Sequence, residues 1–197
     1  GSFFRREGRP TGEAILAGRL VDRPLRPQFP KGLHNDLQVV ITTLSADQKT
    51  PLDMLAIIGA SAAVTISDIP FNGPIGATRV AYKEGEYIVN PTFDEIENSE
   101  LNVAVAGVRG AIGMVEAGAN EVPESVVLEA IRRAQETNDQ VIDMIEEMAN
   151  SVGKGKVVVS PVTGTEELEG RVNSLIDNQL TQILEHRSNK AEREESI

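Results

Sequence analysis

The pattern of apolar residues changes at Pro123, and this change constrains the fold more than any other feature of the chain. Before it, β-branched runs alternate with helical stretches and glycine-containing turns, as in a mixed sheet covered by helices. After it, apolar residues recur at steps of three, four or seven, which is typical of long amphipathic helices. The fold class we predict is α/β (α+β), with a mixed sheet and helices in residues 1–120 and an all-helical part in residues 121–197. The two apolar stripes of that helical part are Val127, Ile131, Ala134, Val141, Ile145, Met148 and Val152, and then Leu168, Val172, Leu175, Ile176, Leu180, Ile183 and Leu184.

The first part contains recognisable beginnings and ends of helices and strands. Thr11 is a suitable N-cap for a helix over residues 11–23, which Pro24 and Pro27 end or kink. A nearly all-apolar helix of small residues is predicted over residues 52–67. Residues 37–44 are apolar and β-branched, so we predict a buried strand there. The predicted strand pairs are residues 75–82 with 86–89, and residues 101–108 with 111–117.

Composition excludes several classes of protein. With 40% hydrophobic residues the chain can form a core, and the absence of cysteine excludes disulfide frameworks and thiolate metal sites. No stretch approaches the roughly 18 apolar residues of a membrane span, so we expect no membrane partner. The absence of cysteine fits a reducing cytosol, and we expect a cytoplasmic location. The net charge of −11 argues against broad nucleic-acid coating. Because the chain begins at Gly1 rather than Met, we expect a fragment or a processed chain.

The basic residues gather at the start of an acidic chain. Residues 1–33 hold seven Lys or Arg against three acids, whereas the remainder holds 12 basic and 27 acidic residues. Phe3 and Phe4 adjoin Arg5 and Arg6, which combines rings that stack on unpaired bases with guanidinium forks that bind phosphate. We therefore predict contact with a single-stranded nucleic acid at these four residues. The alternative is that both rings are buried as core anchors and both arginines are solvated.

Three further arginines are candidates for an anion site. Arg19 and Arg23 are four residues apart and share a helix face, and Arg26 lies close beyond the proline bend. Three converging guanidiniums repel one another unless an anion lies between them. The alternative is that they pair with Asp22, Glu13 or acids elsewhere in the chain.

No catalytic constellation or metal site is evident from the residues. The chain has no Gly-rich phosphate loop of the Walker type and no GxSxG elbow. His34 and His186 lack carboxylates at ligand spacing, so we interpret them as surface or capping residues. An acidic cluster is more typical of a solvated turn than of a Mg²⁺ site. It consists of Asp94, Glu95, Glu97 and Glu100.

Five ordered motifs resemble the bacterial polynucleotide phosphorylases (polyribonucleotide nucleotidyltransferases). They are FFRREGRP at 3–10, RLVDRPLRP at 19–27, IGASAA at 58–63, IPFNGPIG at 69–76 and VAG at 105–107. The resemblance implies a partial first ribonuclease-PH-like core in residues 1–120, without its opening strands, followed by the family's all-helical domain in residues 121–197. The family's second core would be absent.

The resemblance also implies an activity for the whole enzyme. That family degrades RNA from its 3′ end with inorganic phosphate and Mg²⁺, releases nucleoside diphosphates, and forms a homotrimeric ring with a central channel. By resemblance, Phe3, Phe4, Arg5 and Arg6 grip single-stranded RNA in the channel, while Arg19 and Arg23 line a degenerate anion pocket that Arg26 is placed to join. The resemblance further implies an RNA-degrading multi-enzyme complex as a partner.

The same resemblance predicts that this core is catalytically silent. The active core of the family carries Asp-x-Lys ahead of Val-Ala-Gly, where this chain has Asn102 and Ala104. Residues 50–52 fall near the family's phosphate-binding serines. Asn cannot replace a carboxylate's charge at Mg²⁺, and Ala cannot neutralise a phosphoryl oxygen. The alternatives are a stand-alone ribonuclease PH relative, or a binding module with no nuclease role.

Overall fold

The computed structural model describes residues 8–159, 166–185 and 190, with the side chains of residues 177–185 left aside. The chain divides into two compact units, Gly1–Val159 and Ser160–Ile197. Each unit is described by itself. The predicted domain boundary near residue 120 is not tested by this division and stays a prediction.

The first helix, α1, spans Gly12–Leu25 and confirms the predicted N-cap. The Thr11 hydroxyl accepts a hydrogen bond from the Ala14 amide at 3.2 Å. Pro24 lies within the last turn, and a short 3₁₀ turn, Arg26–Gln28, follows. The buried face of α1 consists of Leu20, Val21, Pro24 and Leu25.

The predicted buried strand over residues 37–44 is wrong. The segment is irregular, and its apolar side chains are exposed, with Val40 at 73% and Leu44 at 93%. A strand needs a neighbour to satisfy its backbone N–H and C=O groups. Within the described residues no strand lies beside this segment, so its apolar, β-branched composition is insufficient to form one.

Helix α2, Asp53–Ile66, confirms the apolar small-residue helix. Its buried side chains include Ile57, Ala60 and Ser61. The Ser61 hydroxyl accepts a hydrogen bond from the Ile75 amide at 2.7 Å. Small side chains on this face let the chain leading into the sheet pass close to the helix.

The four strands are β1 (Gly76–Lys83), β2 (Glu86–Val89), β3 (Leu101–Val108) and β4 (Ala111–Ala119). They form an antiparallel sheet of order β2-β1-β3-β4, and both predicted hairpins are confirmed. A short helix, α3 (Phe93–Glu97), lies between the two hairpins and begins at Thr92 with a capping box. In the first hairpin Gly85 supplies a φ of +90°.

The long helix α4, Glu124–Val152, packs on the sheet and ends at Gly153, as predicted. Strand β3 points its side chains alternately to the two faces. One face joins α1 and α2 in a core that includes Ala104 and Ala106. The other face joins α4 through Val103 and Val105. The sheet therefore lies between two helical layers in the first unit.

The buried face of α4 is rotated slightly from the predicted stripe. Met148 and Val152 are exposed, whereas Asn138 is fully buried. Its amide nitrogen donates to the Val105 carbonyl at 3.2 Å, which lets a polar residue occupy the core face. The helix passes so close to the sheet here that a Cβ at Gly76 would lie 2.5 Å from the Asn138 carbonyl oxygen.

The second unit contains helix α5, Glu166–Glu185, which confirms the second predicted long helix. Its first turn carries three acidic residues, which suit the positive end of a helix dipole. The described apolar stripe is solvent-exposed and consists of Leu168, Val172, Leu175 and Ile176.

Candidate functional site

A cleft of about 210 Å³ lies between the start of α2 and strand β1. Its walls are mainly apolar. Polar groups come from Thr50, Asp53, Arg79 and Asn90. Since the first residue of α2 and the middle of β1 both contribute, the cleft is formed where the helical layer meets the sheet. The apolar lining residues include Pro51, Met54, Leu55, Ile58, Ala77 and Pro91.

Arg79 is the central charged residue of this cleft. Its Nη2 atom lies 2.5 Å from the Asp53 carboxylate, and its Nη1 atom donates to the Asn102 side-chain oxygen at 2.8 Å. Arg79 is 16% exposed and Asp53 23%. The Arg79 Nε atom is buried and has no hydrogen-bond partner among the described residues. The guanidinium thus joins the start of α2 to strand β3.

The Asp53 carboxylate is compensated on two sides. One oxygen binds Arg79 and the other accepts from the Met54 amide at 2.8 Å, within the first turn of α2. A carboxylate held by a guanidinium and by a helix N-terminus has little charge left for a divalent cation. Among the described residues, no group of three His, Asp or Glu side chains is placed to hold a metal ion.

The residues that the resemblance aligned with an active site lie around this cleft. Thr50 lines it, and Asn102 is bonded to Arg79. Ala104 is the β3 residue paired with Arg79 and is almost fully buried. The structure thus brings Thr50 and Asn102 to one site, with Arg79 and Asp53 between them.

Thr50 is also fixed by a tight local turn. Asp47 accepts hydrogen bonds from the amides of Thr50 and Lys49, and from the Thr50 hydroxyl at 2.8 Å. These bonds, the Thr50 amide's first, lower the pKa of Asp47 to about 2. The hydroxyl donates its only proton within the turn.

Two of the three candidate anion-binding arginines already have carboxylate partners. Arg23 pairs with Glu116 on β4 at 2.8 Å, and Arg26 forms a fork to Asp22 at 2.8–3.0 Å. No described residue forms a hydrogen bond or ion pair with Arg19. Both pairs are well exposed, so each contributes little to stability and a stronger anion can displace it. The anion site at Arg19, Arg23 and Arg26 stays a prediction.

The predicted RNA-binding residues Phe3, Phe4, Arg5 and Arg6 lie outside the described residues, as does His186. His34 is exposed, in keeping with its interpretation as a surface residue.

Two members of the acidic cluster have structural roles. Glu95 forms the capping box with Thr92, whose amide and hydroxyl lower the Glu95 pKa. Glu100 accepts from the Glu84 amide at 3.2 Å.

Sequence reasoning missed Arg79 and Asp53. An available signal is that an arginine lies in the middle of an otherwise apolar strand, where a charge requires a partner. The identity of that partner, 26 residues away in sequence, follows only from the packing of α2 on β1.

The three-dimensional fold has a counterpart among solved structures. It is similar to Rrp46 of rice (Oryza sativa), with a TM-score of 0.58 and 16% sequence identity, over 73% of this chain and 68% of that one. Together with the family matches below, this similarity makes the fold a mixed α+β ribonuclease-PH-like fold, as predicted.

The sequence defines the family more narrowly. Residues 1–70 match the 3′ exoribonuclease family, domain 1, and residues 73–137 match domain 2 of that family. The chain belongs to the 3′ exoribonuclease family. The second match extends into α4.

Curated relatives over nearly the whole chain are polyribonucleotide nucleotidyltransferases, which confirms the resemblance. The protein of Dehalococcoides mccartyi is 41% identical over 197 residues, covering 100% of this chain and 27% of the relative. That of Heliobacterium modesticaldum is 45% identical over 197 residues, covering 100% and 28%. That of Herpetosiphon aurantiacus is 50% identical over 195 residues, covering 98% and 25%. The chain thus spans about a quarter of the length of each of these relatives.

In the described part of the chain, no helix combines the length and apolar character needed to span a membrane.

Proposed function

We propose that this chain is the RNA-holding and scaffolding part of a phosphate-dependent 3′-to-5′ exoribonuclease, a polyribonucleotide nucleotidyltransferase. The observation that carries the proposal is the neutralised cleft, in a chain 41–50% identical to such enzymes. The Arg79 guanidinium is paired with the Asp53 carboxylate, and the neutral Asn102 lies at the position that the resemblance aligns with an active-site acid. The reaction then takes place in a second ribonuclease-PH-like core outside this chain.

The reaction of the whole enzyme is a phosphoryl transfer. An oxygen of inorganic phosphate attacks the phosphorus of the terminal phosphodiester, and the bond from that phosphorus to the 3′ oxygen of the preceding nucleotide breaks. The freed 3′ oxygen takes up a proton and becomes the new end of the RNA, and the terminal nucleotide is released as a nucleoside diphosphate. Such a site must stabilise charge on the transferring group. The described residues of this chain do not fit a Mg²⁺ site, because Asp53 is paired and Asn102 is uncharged. The metal ion therefore belongs to the second core.

Phe3, Phe4, Arg5 and Arg6 hold the RNA strand. Stacking on the two rings tolerates any base, and the guanidiniums bind successive phosphates, so the strand is held without sequence reading. Arg19, Arg23 and Arg26 form the degenerate anion pocket. We further propose a homotrimer for the full-length enzyme, a role in an RNA-degrading complex and a cytoplasmic location. The core spans residues 1–120 and the helical domain residues 121–197.

RNA binding tests the holding function. In the 197-residue chain, the double substitution Arg5→Ala with Arg6→Ala should weaken binding of a long single-stranded RNA at least tenfold. It should also reduce the slope of log affinity against log salt by about 1.4, at about 0.7 per lost phosphate contact. Phe3→Ala with Phe4→Ala should weaken binding with little change in slope. The matched control is Arg171→Ala, an exposed arginine on α5. Affinity equal to the control's would refute the holding role and favour a scaffold without RNA contact.

Phosphorolysis tests the silent core. With RNA, phosphate and Mg²⁺, the purified chain should release no nucleoside diphosphate above the background without protein. Steady release would overturn the proposal and favour a stand-alone ribonuclease PH relative.

A further inference from the structure

The segment that follows α4, residues 153–159, runs beside the end of α2; we name it the strap. Two of its backbone amides donate to carbonyls there. Lys154 N–H donates to the Ile66 carbonyl at 2.9 Å, and Val157 N–H donates to the Asp68 carbonyl at 2.8 Å. The strap is the last described segment before residue 160, so it sets where the chain leaves the first unit.

Lys156 adds three side-chain hydrogen bonds to these two backbone bonds. Its Nζ atom donates to the carbonyls of Val64 at 2.9 Å, Thr65 at 2.7 Å and Ser67 at 2.8 Å. An ammonium has three protons, and each has one acceptor here. These carbonyls lie at the end of α2, where the final carbonyls lack helical partners and carry the negative end of the helix dipole.

Apolar packing contributes little to the position of the strap up to residue 158. Val157 is 57% exposed and Val158 91%, so neither buries enough surface to hold the segment, and only Val159, at its end, is half-buried. The Lys154 side chain forms no hydrogen bond or ion pair within the described part of the chain. Burial at the end of α2 lowers the pKa of Lys156, while the nearby charge of Asp68 acts in the opposite direction. The Lys156 ammonium, on a residue that is exposed as a whole, is the one specific side-chain attachment described for this segment.

We infer that Lys156 is a latch, whose positive charge holds the strap on the last turn of α2 and which releases the strap when the charge is removed. The released state keeps the sheet and α1, α2 and α4, because none of their core contacts involves residues 153–159. The latch is a conformational device that fixes the exit of the chain from its first unit. It does not depend on the proposed function.

Hydrogen exchange of individual amides tests the latch in the 197-residue chain. Lys156→Gln, which keeps the length but not the charge, should accelerate exchange of the Lys154 and Val157 amides at least tenfold. The amides of β1 and β3 should be unchanged, which shows that the fold is intact. Lys154→Gln is the matched control, since it removes a neighbouring lysine without any of these contacts. Equal exchange at Val157 in the two variants would overturn the inference.

Chemical rescue separates a charge latch from a general packing effect. In Lys156→Ala, an added alkylammonium ion of four carbons should restore slow exchange at the Val157 amide, whereas the alcohol of the same length should not. Restoration by both, or by neither, would contradict the latch. Should Lys156→Gln unfold the whole chain, Lys156→Arg decides the question. A retained positive charge should keep exchange at Val157 within about threefold of the parent, and loss of protection there would overturn the inference.

Discussion

Arg79 has different consequences for chemistry and for stability. It compensates the charge of the Asp53 carboxylate within the cleft, and it joins α2 to the sheet. Removing one partner of a mostly buried ion pair costs more than the pair contributes, because the other charge remains without compensation.

Arg79→Met should therefore lower the free energy of unfolding by about 3 kcal/mol, the lower end of the range for a buried ion pair that loses one partner. Urea unfolding of the 197-residue chain measures it. Arg132→Met, which removes an exposed arginine of α4, should cost less than about 1 kcal/mol. If Asp53→Asn combined with Arg79→Met cost as much as the two single changes added together, the two residues would not be coupled.

Glu116 competes with any anion for Arg23. Glu116→Gln removes the carboxylate that occupies this guanidinium and keeps the side chain's shape. If the anion pocket is formed as proposed, inorganic phosphate or RNA should bind this variant several-fold more tightly, and the gain should disappear at high salt. Isothermal titration calorimetry measures the affinity of each variant for phosphate and for RNA. Glu147→Gln, on an exposed glutamate of α4, is the control and should change nothing.

At the scale of elements, the close approach of α4 to β1 depends on one glycine. A Cβ at Gly76 would lie 2.5 Å from the Asn138 carbonyl oxygen and 2.7 Å from its Cα. Because both of these atoms belong to the backbone of α4, they cannot move aside as the end of a flexible side chain can.

Gly76→Ala should reduce stability by about 1–3 kcal/mol, the usual cost of overpacking. Gly118→Ala on β4 is the matched control, because a Cβ there would meet nothing within 4 Å. That change should be neutral to slightly stabilising. Thermal and urea unfolding of both variants decide the matter, and equal stability of the two would contradict the close packing.

Helix α4 also carries a titratable cluster. The Arg132 guanidinium, and after it that of Arg133, lowers the pKa of Glu129 to about 2. Because the folded pKa is below the unfolded one, the stabilisation is present above the unfolded pKa of about 4.3 and is lost as the pH falls toward 2. NMR titration should show Glu129 ionised at pH 3, and Arg132→Ala should raise its pKa. A normal Glu129 titration in the parent chain would contradict the ion pairs.

The elements differ in how far the sequence predicts them. Helices α2 and α4 and both hairpins follow from patterns within each segment, so local reasoning found them. The strand predicted over residues 37–44 does not form, because a strand needs a hydrogen-bonding partner and a local sequence pattern does not show whether one is present. Thr50 and Asn102 were found through the family resemblance. Arg79, Asp53 and Lys156 act through contacts far apart in sequence, and only the packed structure reveals them.

At the scale of the whole molecule, charge distribution restricts what the chain can bind. The net charge is −11, and the basic residues concentrate before residue 34. A duplex would bring a second row of phosphates to an acidic chain, and its paired, stacked bases would leave no free ring face for the stacking proposed for Phe3 and Phe4.

Single-stranded RNA should therefore bind at least tenfold more tightly than an RNA duplex with the same number of phosphates. Competition between the two for the 197-residue chain measures this ratio. A ratio near one would show that binding is electrostatic alone and would remove the need for the aromatic pair.

The exposed segment 37–44 affects how the isolated chain behaves in solution. A run of valine, isoleucine, threonine and leucine facing water is a hazard for cross-β association between molecules. Light scattering and amyloid-dye fluorescence should rise with protein concentration, and Val40→Lys should delay both. Dilute samples at low temperature are accordingly the practical choice, since hydrophobic association weakens on cooling.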